Sequence, residues 1–315
     1  MKLNRRELLL GLSLLSGTLA WKRPLRASSQ QPDPVRRGDN LIAVSPGTWV
    51  DRDTLSGERG WKSLYSSWGL ELIIPSVALS QWAYFSGTDS DRAAAVRQAW
   101  NDPAAAGVVC ISGGWGAARC LEAGFLPTSQ PRWCVGFSDN CALLLAQLSA
   151  GSLGGIHGWK DERVRRLLMG EPVAPLQGRG RRSGVAEGPL VVTNLTVATH
   201  LIGTPWMPSL DGALLVLEDT GEAPYRVDRM LTHWRSAGLL QNLSGVGIGR
   251  FSWRPDPGDV FPGDLSLDEV LMDRFGDLGV PVISDLPVGH GRPNKALPMG
   301  RRARLDADSG QLTLL

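Results

Sequence analysis

Histidine and cysteine, from which most protein zinc sites are built, are both scarce in this sequence. Four of each occur among 315 residues, and none has metal-ligand spacing such as C-x-x-C or H-E-x-x-H. We therefore expect no metal. The cysteines crowd into one largely apolar segment, where we interpret them as small buried hydrophobes with free thiols: Cys110, Cys120, Cys134 and Cys141.

An excess of one charge and a long apolar run are also missing. The 33 Lys and Arg against 31 Asp and Glu leave a net charge of +2, which does not favour nucleic acid or an acidic membrane surface as a partner. No apolar run reaches the roughly 20 residues that a membrane-spanning helix needs. The composition is that of a globular protein, 43% hydrophobic and long enough for two domains.

The N-terminus is typical of an export signal. Arg5 and Arg6 precede an apolar run at 8–20 that is too short to span a bilayer, and the arginine pair indicates the twin-arginine type. Cleavage after Ala20 or Ala27 would release the chain into the periplasm. The alternatives are an uncleaved anchor or a misassigned start, the latter leaving the protein in the cytoplasm. We assign residues 1–35 to this signal and a polar linker, outside the fold.

Short apolar strands alternate with helices between residues 36 and 170, which predicts an N-terminal α/β domain with a parallel sheet. From 171 to 188 the chain is rich in Gly, Arg and Pro and loses its periodicity, so we interpret this segment as a linker. Strand patterns resume at 189–315 and predict a second, smaller, β-rich α/β domain. We expect the active site between the two domains.

A serine lies on a turn between a predicted strand and a predicted helix. Trp133, Cys134 and Val135 lead into Gly136-Phe137-Ser138-Asp139, and an apolar helix follows at 140–149. A serine in this position is usually a helix N-cap, but it is also where many hydrolases place their nucleophile. Candidate partners follow along the chain: Glu218 after an apolar strand, and His290 in a Gly-His-Gly loop.

A glycine-rich loop, Ser112-Gly113-Gly114-Trp115-Gly116, follows the strand predicted at 107–111. It is not the G-x-G-x-x-G pattern of dinucleotide sites, and no acidic residue closes a following strand. We therefore expect no cofactor.

Taken in order, these motifs resemble the serine LD-carboxypeptidases, the muramoyltetrapeptide carboxypeptidase family with its microcin-immunity relatives. The similarity runs through residues 38–300. It rests on Gly38-Asp39 with A-V-S-P at 43–46, the loop at 112–116, G-F-S-D at 136–139, His157-Gly158, N-L-T at 194–196, L-I-G-T-P-W-M-P at 201–208, the acidic motif at 215–222 with 225–231, and Gly289-His290 with L-P-M-G at 297–300.

The resemblance implies that Ser138 is the nucleophile, Glu218 the acid and His290 the base. The backbone N–H of Asp139 and one from Gly113 or Gly114 would form the oxyanion hole. The implied reaction removes the terminal D-Ala from a murein tetrapeptide by cutting an L,D bond, and the implied assembly is a homodimer. The diamino acid of the peptide is left open.

The sequence departs from the family pattern in its glycine-rich loop. Ser112 stands where the family has arginine and Trp115 where it has tyrosine, and we take Trp115 as a candidate substrate contact. Arg226 and Arg229 are candidates for binding the substrate carboxylate; the alternative is that they are solvated surface charges.

Two other functions remain open. One is a self-immunity peptidase that cleaves a peptidyl-nucleotide antibiotic, and the other is a non-catalytic protein that binds wall peptides.

Overall fold

The computed structural model describes residues 30–51, 53–56, 60–255 and 263–315. The strands, in chain order, are β1 (Asn40–Val44), β2 (Glu71–Ile73), β3 (Ala105–Cys110), β4 (Trp133–Gly136), β5 (Gly155–His157), β6 (Leu176–Gln177), β7 (Arg179–Arg182), β8 (Val185–Asn194), β9 (Leu214–Thr220), β10 (Gly245–Ser252), β11 (Val282–Ser284), β12 (Leu297–Pro298), β13 (Arg302–Asp306) and β14 (Gln311–Leu314).

The helices, in the same order, are α1 (Asp53–Ser56), α2 (Trp61–Ser67), α3 (Asp89–Asn101), α4 (Ala117–Glu122), α5 (Cys141–Ser149), α6 (Glu162–Leu168), α7 (Leu195–Thr199), α8 (Pro224–Ser236) and α9 (Leu267–Phe275), with 3₁₀ turns at Ser76–Leu79 and Ser138–Asn140.

The first sheet has the strand order β12-β5-β4-β3-β1-β2, and β1 to β5 run parallel. Helices cover a parallel sheet on both faces, which explains why strands such as β3 and β4 are almost wholly apolar and buried. The carboxyl ends of parallel strands meet at one edge, and ligands bind there. The glycine-rich loop after β3 and Ser138 after β4 therefore lie at the same edge.

The second sheet has the order β6-β14-β13-β8-β9-β10-β11-β7, with β8 to β11 parallel and antiparallel strands on either side. Its two edge strands, β6 and β7, are joined by the single residue Gly178. The sheet must therefore curl round on itself. A Cβ at position 178 would lie 2.4 Å from the carbonyl oxygen of Ser284, so glycine is required there. The two-domain α/β fold, a parallel sheet and then a β-rich one, confirms the fold class expected from the sequence.

The chain returns to the first sheet near its C-terminus. Strand β12 pairs antiparallel with β5, so that Leu297 lies opposite His157 and Pro298 opposite Ile156. This pairing ties the segment that follows His290 to the sheet that carries Ser138.

The segment 171–188, expected to be a linker, instead contains β6, β7 and the first residues of β8. Strand β6 has only two residues, of which Leu176 is buried, and β7 is an edge strand of three arginines and a glycine, so no apolar alternation marks either one. A Cβ at position 180 would lie 2.0 Å from the carbonyl oxygen of Ala307, which explains why this position is glycine.

Residues 1–29 of the expected signal and linker at 1–35 lie outside the described residues, whereas the end of that segment packs on the first domain through Asp33 and Val35, against our expectation. Val35 is buried, and its N–H donates to the carbonyl of Leu168 at 2.8 Å. The buried indole of Trp133 donates to the carbonyl of Asp33 at 2.8 Å. A tryptophan N–H inside a core needs a hydrogen-bond acceptor, and the backbone of Asp33 supplies it.

Within the part of the chain that the structure describes, no helix is long and apolar enough to cross a membrane. The four cysteines are buried free thiols, as the sequence favours.

Candidate active site

Ser138 occupies a strained turn between β4 and α5. Its φ is 61°, in the left-handed region that non-glycine residues rarely adopt. The side chain of Asn140 supports the turn by donating to the carbonyls of Phe137 at 2.9 Å and Ser112 at 2.6 Å. Asn140 stands where the second glycine of a G-x-S-x-G elbow would be, so here an amide joins the turn to the glycine-rich loop.

The hydroxyl of Ser138 is not used as a helix cap. Its Oγ lies 3.1 Å from Nε2 of His290, which is 152 residues away in the chain. On the other side of the imidazole, Nδ1 lies 2.7 Å from Oε2 of Glu218. The structure thus brings all three predicted catalytic residues into one hydrogen-bonded chain. Ser138 follows β4 of the first sheet, and Glu218 and His290 come from the second domain.

Glu218 is fully buried at 0% exposure within β9. Burial opposes its negative charge, but the hydrogen bonds and charge of His290, together with the nearby His157, hold the pKa of Glu218 below its usual value. Its second oxygen, Oε1, accepts a hydrogen bond from the amide of Asn194 at 3.2 Å. The carboxylate is therefore ionised and bonded through both oxygens.

Gly289 allows the histidine loop to approach this carboxylate. Its φ is 110°, and a Cβ there would stand 2.6 Å from Cβ of Glu218. Only glycine combines that backbone conformation with so close a contact.

The side chain of Asp139 connects the serine turn to the glycine-rich loop. Its Oδ2 accepts the N–H of Ala117 at 2.8 Å, at the start of α4. Burial raises the pKa of Asp139 to about 6, although the N–H groups of Ala117 and Gly116 and the charge of Arg92 act in the opposite direction. The carboxylate thus anchors the loop that would supply an oxyanion donor.

Gly113 lies directly beside the serine. A Cβ built on Gly113 would stand 3.5 Å from Cβ and 3.7 Å from Oγ of Ser138. The carbonyl of Gly113 accepts the N–H of Thr48 at 2.9 Å, which fixes the peptide. The backbones of Gly113 and Asp139, two of the predicted oxyanion donors, therefore both border the serine hydroxyl.

Two cavities adjoin residues that lie beside the serine, Gly113 in one and His290 in the other. The oxyanion-side cavity, about 470 Å³, is lined by residues 48–51, 111–114, Trp61, Trp159 and Lys160. The histidine-side cavity, about 860 Å³, is lined by residues 289–294, Leu64, Phe137, Trp159, Lys160 and Asp161. Trp159 and Lys160 line both. A peptide whose scissile bond reaches Ser138 therefore has room on either side of that bond.

A second histidine, His157, lies close to His290 but is fully buried. The ring of His157 packs edge-on against Phe137 at 5.2 Å, and Phe137 in turn packs on His290 at 4.5 Å. Burial lowers the pKa of His157 to about 4, so its ring is neutral at pH 7.

The remaining predicted site residues make other contacts in the structure. Trp115 is 42% exposed and contacts His200 of the other domain edge-on at 6.3 Å. Arg226 and Arg229 pack on the ring of Tyr225, and Arg226 pairs with Glu222 at 3.7 Å. Among the described residues that line the two cavities, neither arginine is found.

Two residues near the site had no separate signal in the sequence. Asn194 was visible only as part of a family motif, and its contact with Glu218 depends on the pairing of β8 with β9. Lys160 lines both cavities but had no sequence signal, because it belongs to none of the motifs.

Comparison with known proteins gives consistent matches over both domains. The family model for the LD-carboxypeptidase N-terminal domain matches residues 40–158, and that for the LD-carboxypeptidase C-terminal domain matches residues 187–305. A candidate carboxypeptidase of Synechocystis sp. is 42% identical, covering 90% of this chain and 97% of its own. The murein tetrapeptide carboxypeptidase of Pseudomonas aeruginosa is 29% identical, with 90% and 97% covered.

Solved structures share the fold. The muramoyltetrapeptide carboxypeptidase of Oxalobacter formigenes superposes with a TM-score of 0.72 at 24% identity, covering 87% of this chain and 97% of its own. The microcin C7 self-immunity protein, in complex with glutamyl sulfamoyl guanosine, gives 0.73 at 18% identity, with 92% and 98% covered.

Proposed function

Because this chain belongs to the LD-carboxypeptidase family of serine hydrolases, we propose that it removes the terminal D-Ala from murein tetrapeptides. The bond cleaved would join the L-centre of a diamino acid to D-Ala. The observation that carries the proposal is the hydrogen-bonded chain from Ser138 through His290 to the buried Glu218.

In the acylation step, Oγ of Ser138 attacks the carbonyl carbon of the L-centre while Nε2 of His290 takes the hydroxyl proton. Glu218 keeps the other proton on Nδ1 and stabilises the imidazolium that forms. The backbone N–H groups of Asp139 and of Gly113 or Gly114 bind the developing oxyanion. Collapse of this intermediate breaks the C–N bond, and His290 gives its proton to the leaving amine of D-Ala.

In the deacylation step, His290 removes a proton from water, which attacks the ester carbonyl on Ser138. The second tetrahedral intermediate uses the same oxyanion donors. His290 then returns the proton to Oγ of Ser138, releasing the shortened peptide with a new carboxylate and restoring the enzyme.

A peptidyl-nucleotide peptidase is the second candidate, because the microcin C7 self-immunity protein has the same fold. Fold similarity at this identity does not distinguish the two substrates. The exposed ring of Trp115 is the one predicted aromatic contact for a nucleotide base. It contacts His200 rather than the catalytic residues, so we rank this function second.

A substrate panel tests the proposal. Purified protein is incubated separately with a murein tetrapeptide ending in D-Ala, the same peptide ending in L-Ala, and a peptidyl-nucleotide, and the products are identified by mass spectrometry. We expect loss of one alanine from the D-Ala peptide only. Cleavage of the peptidyl-nucleotide alone would replace our proposal with the second candidate, and no cleavage by folded protein would refute both.

We also propose export to the periplasm, supported by the arginine pair and the apolar run at 8–20. Fractionation of cells that express the full chain tests this, and replacement of both arginines by lysine should retain the protein in the cytoplasm. The homodimer implied by the family is a further proposal, which sedimentation equilibrium tests.

A further inference from the structure

The leaving side of the bond that this enzyme is proposed to cut carries a single residue, the terminal alanine. The only charge on that residue is its carboxylate, which is attached to the same Cα as the leaving amine. Since His290 gives its proton to that amine, the carboxylate must come to lie on the side of Ser138 that His290 occupies, which is the histidine-side cavity. A cation on this cavity is therefore placed to distinguish a chain end from an internal bond.

Among the described residues that line the histidine-side cavity, two are cations, Lys160 and Arg292. Lys160 also lines the oxyanion-side cavity, and its ammonium group lies over the ring of Trp61 at 4.7 Å. Arg292 lines the histidine-side cavity alone and follows His290 by two residues. Arg292 is thus the cation that belongs to the leaving side of the bond.

The loop that carries both His290 and Arg292 is held in a fixed shape. The N–H of Gly289 donates to the side chain of Asn294 at 2.9 Å, which closes the loop. Nη2 of Arg250 donates to the backbone carbonyl of Arg292 at 3.0 Å, which fixes its far side. The base and the arginine are therefore presented together, and the substrate can contact both at once.

The guanidinium of Arg292 is available to an anion. Arg292 is exposed, and within the described part of the chain its side chain makes no hydrogen bond and no ion pair. Asp161, the carboxylate among the described residues that line this cavity, is paired with Lys295 at 3.0 Å. A planar guanidinium can bind a carboxylate through two parallel hydrogen bonds, so Arg292 suits the terminal group of a peptide.

We propose that Arg292 binds the terminal carboxylate of the substrate and so makes this enzyme specific for the end of a peptide. The inference rests on the proposed function and adds a specificity-determining residue to it. Arg292 takes no part in proton transfer. Its removal should therefore weaken recognition of the chain end and leave Ser138, Glu218 and His290 in place.

The test pairs two substrates with five forms of the enzyme. The substrates are a murein tetrapeptide with a free terminal carboxylate and the same peptide with a terminal carboxamide; both yield the same tripeptide product. The enzymes are the native chain, Arg292→Met, Arg292→Lys, Lys160→Met as the other cation of the cavity, and the control Arg226→Met. The readout is kcat/KM for tripeptide formation from each substrate.

We expect the native enzyme to prefer the carboxylate peptide by at least about tenfold. Arg292→Met should lower kcat/KM for that peptide about 10- to 100-fold while changing the carboxamide value less than about threefold, so the preference is lost. Arg292→Lys should show an intermediate preference, because the charge remains without the planar fork. Lys160→Met should keep the preference whatever its overall rate, and Arg226→Met should behave like the native enzyme.

An equal loss on both substrates in Arg292→Met, or a preference that the substitution leaves unchanged, overturns the assignment. Loss of the preference in Lys160→Met, or a native enzyme that cleaves both peptides equally well, also overturns it. A folding defect is recognised because it lowers both rates together. If the native chain forms tripeptide from neither substrate, the proposed function fails and the inference fails with it, an outcome distinct from a failure of Arg292 alone.

Discussion

Oε2 of Glu218 accepts two hydrogen bonds from the same residue, one from the backbone N–H of His290 at 3.0 Å and one from its ring Nδ1 at 2.7 Å. The carboxylate therefore holds both the loop and the ring. With the proton on Nδ1, the lone pair of Nε2 faces Oγ of Ser138 at 3.1 Å. One buried charge thus sets the position, rotation and tautomer of the base.

Replacement of this charge should lower turnover strongly. In Glu218→Gln the amide is close in shape but neither fixes the tautomer nor stabilises the imidazolium. We expect kcat to fall by about 10³- to 10⁴-fold with a smaller change in KM. Steady-state kinetics with the tetrapeptide measures this. Glu222→Gln, which removes a carboxylate paired with Arg226, is the control and should stay within about threefold of native. A Glu218→Gln enzyme within tenfold of native would contradict the role of this carboxylate.

Gly114 of the glycine-rich loop and Gly221, which follows β9, offer a matched pair of substitutions. Gly114 and Gly221 both have a φ of 82°, but a Cβ on Gly114 would stand 2.0 Å from Oγ1 of Thr48, whereas nothing lies within 4 Å of one on Gly221. Both alanine variants should lose about 1–2 kcal/mol of unfolding free energy from backbone strain. Only Gly114→Ala should also displace an oxyanion donor and lower kcat about 10²-fold. Denaturant unfolding and kinetics separate the two effects. Equal activity of the two variants would show that the loop does not bind the oxyanion.

Asn194 has two structural tasks. Its Oδ1 accepts the N–H of Val197 at 3.0 Å and caps α7, while its Nδ2 donates to Glu218. Asn194→Ala should lower the unfolding free energy by about 1–2 kcal/mol and also lower kcat. Thr88→Ala removes a comparable cap, on α3, and should reduce stability without changing kcat. If Asn194→Ala is destabilised yet fully active at a temperature where it is folded, the hydrogen bond from Asn194 to Glu218 does not contribute to catalysis.

Asp139 should give the stability of the protein a distinctive pH dependence. Its pKa of about 6 in the folded protein lies above the roughly 3.9 of an unfolded aspartate. A raised folded pKa means that its contribution to stability is complete below about pH 4 and is lost as the pH rises through about 6. From pH 5 to 7.5 the native protein should lose about 1 kcal/mol relative to Asp139→Asn, which does not titrate. Denaturant unfolding of both at the two pH values measures this, and parallel pH dependence would contradict it.

The three proposed catalytic residues could be selected from the sequence because the family motifs contain them and each is also marked by its local chain. Ser138 follows a buried strand and precedes an apolar helix, Glu218 directly follows the four apolar residues that begin β9, and His290 lies between glycines that permit a tight loop. Local patterns of this kind survive in a single sequence because they depend on neighbours along the chain.

Features that depend on distant pairing were not predictable. Nothing local distinguishes β12 from a strand of the second domain, yet it pairs with β5 in the first. The single residue Gly178 closes the second sheet, and Val35 enters the first core from a segment whose composition is that of a linker. Lys160 is an ordinary surface-type residue in the sequence, and its place on the cleft wall follows from the aromatic contacts of Trp61 and Trp159.

The most direct test of the account is the time course of alanine release from a murein D-Ala tetrapeptide by the native chain and by Ser138→Ala, prepared identically and matched in folded concentration. We predict that the native chain releases one alanine per peptide and that the variant is slower by at least about 10⁴-fold, because it lacks the hydroxyl that is hydrogen-bonded to His290. Comparable release by both proteins would contradict the claim that Ser138 is the nucleophile.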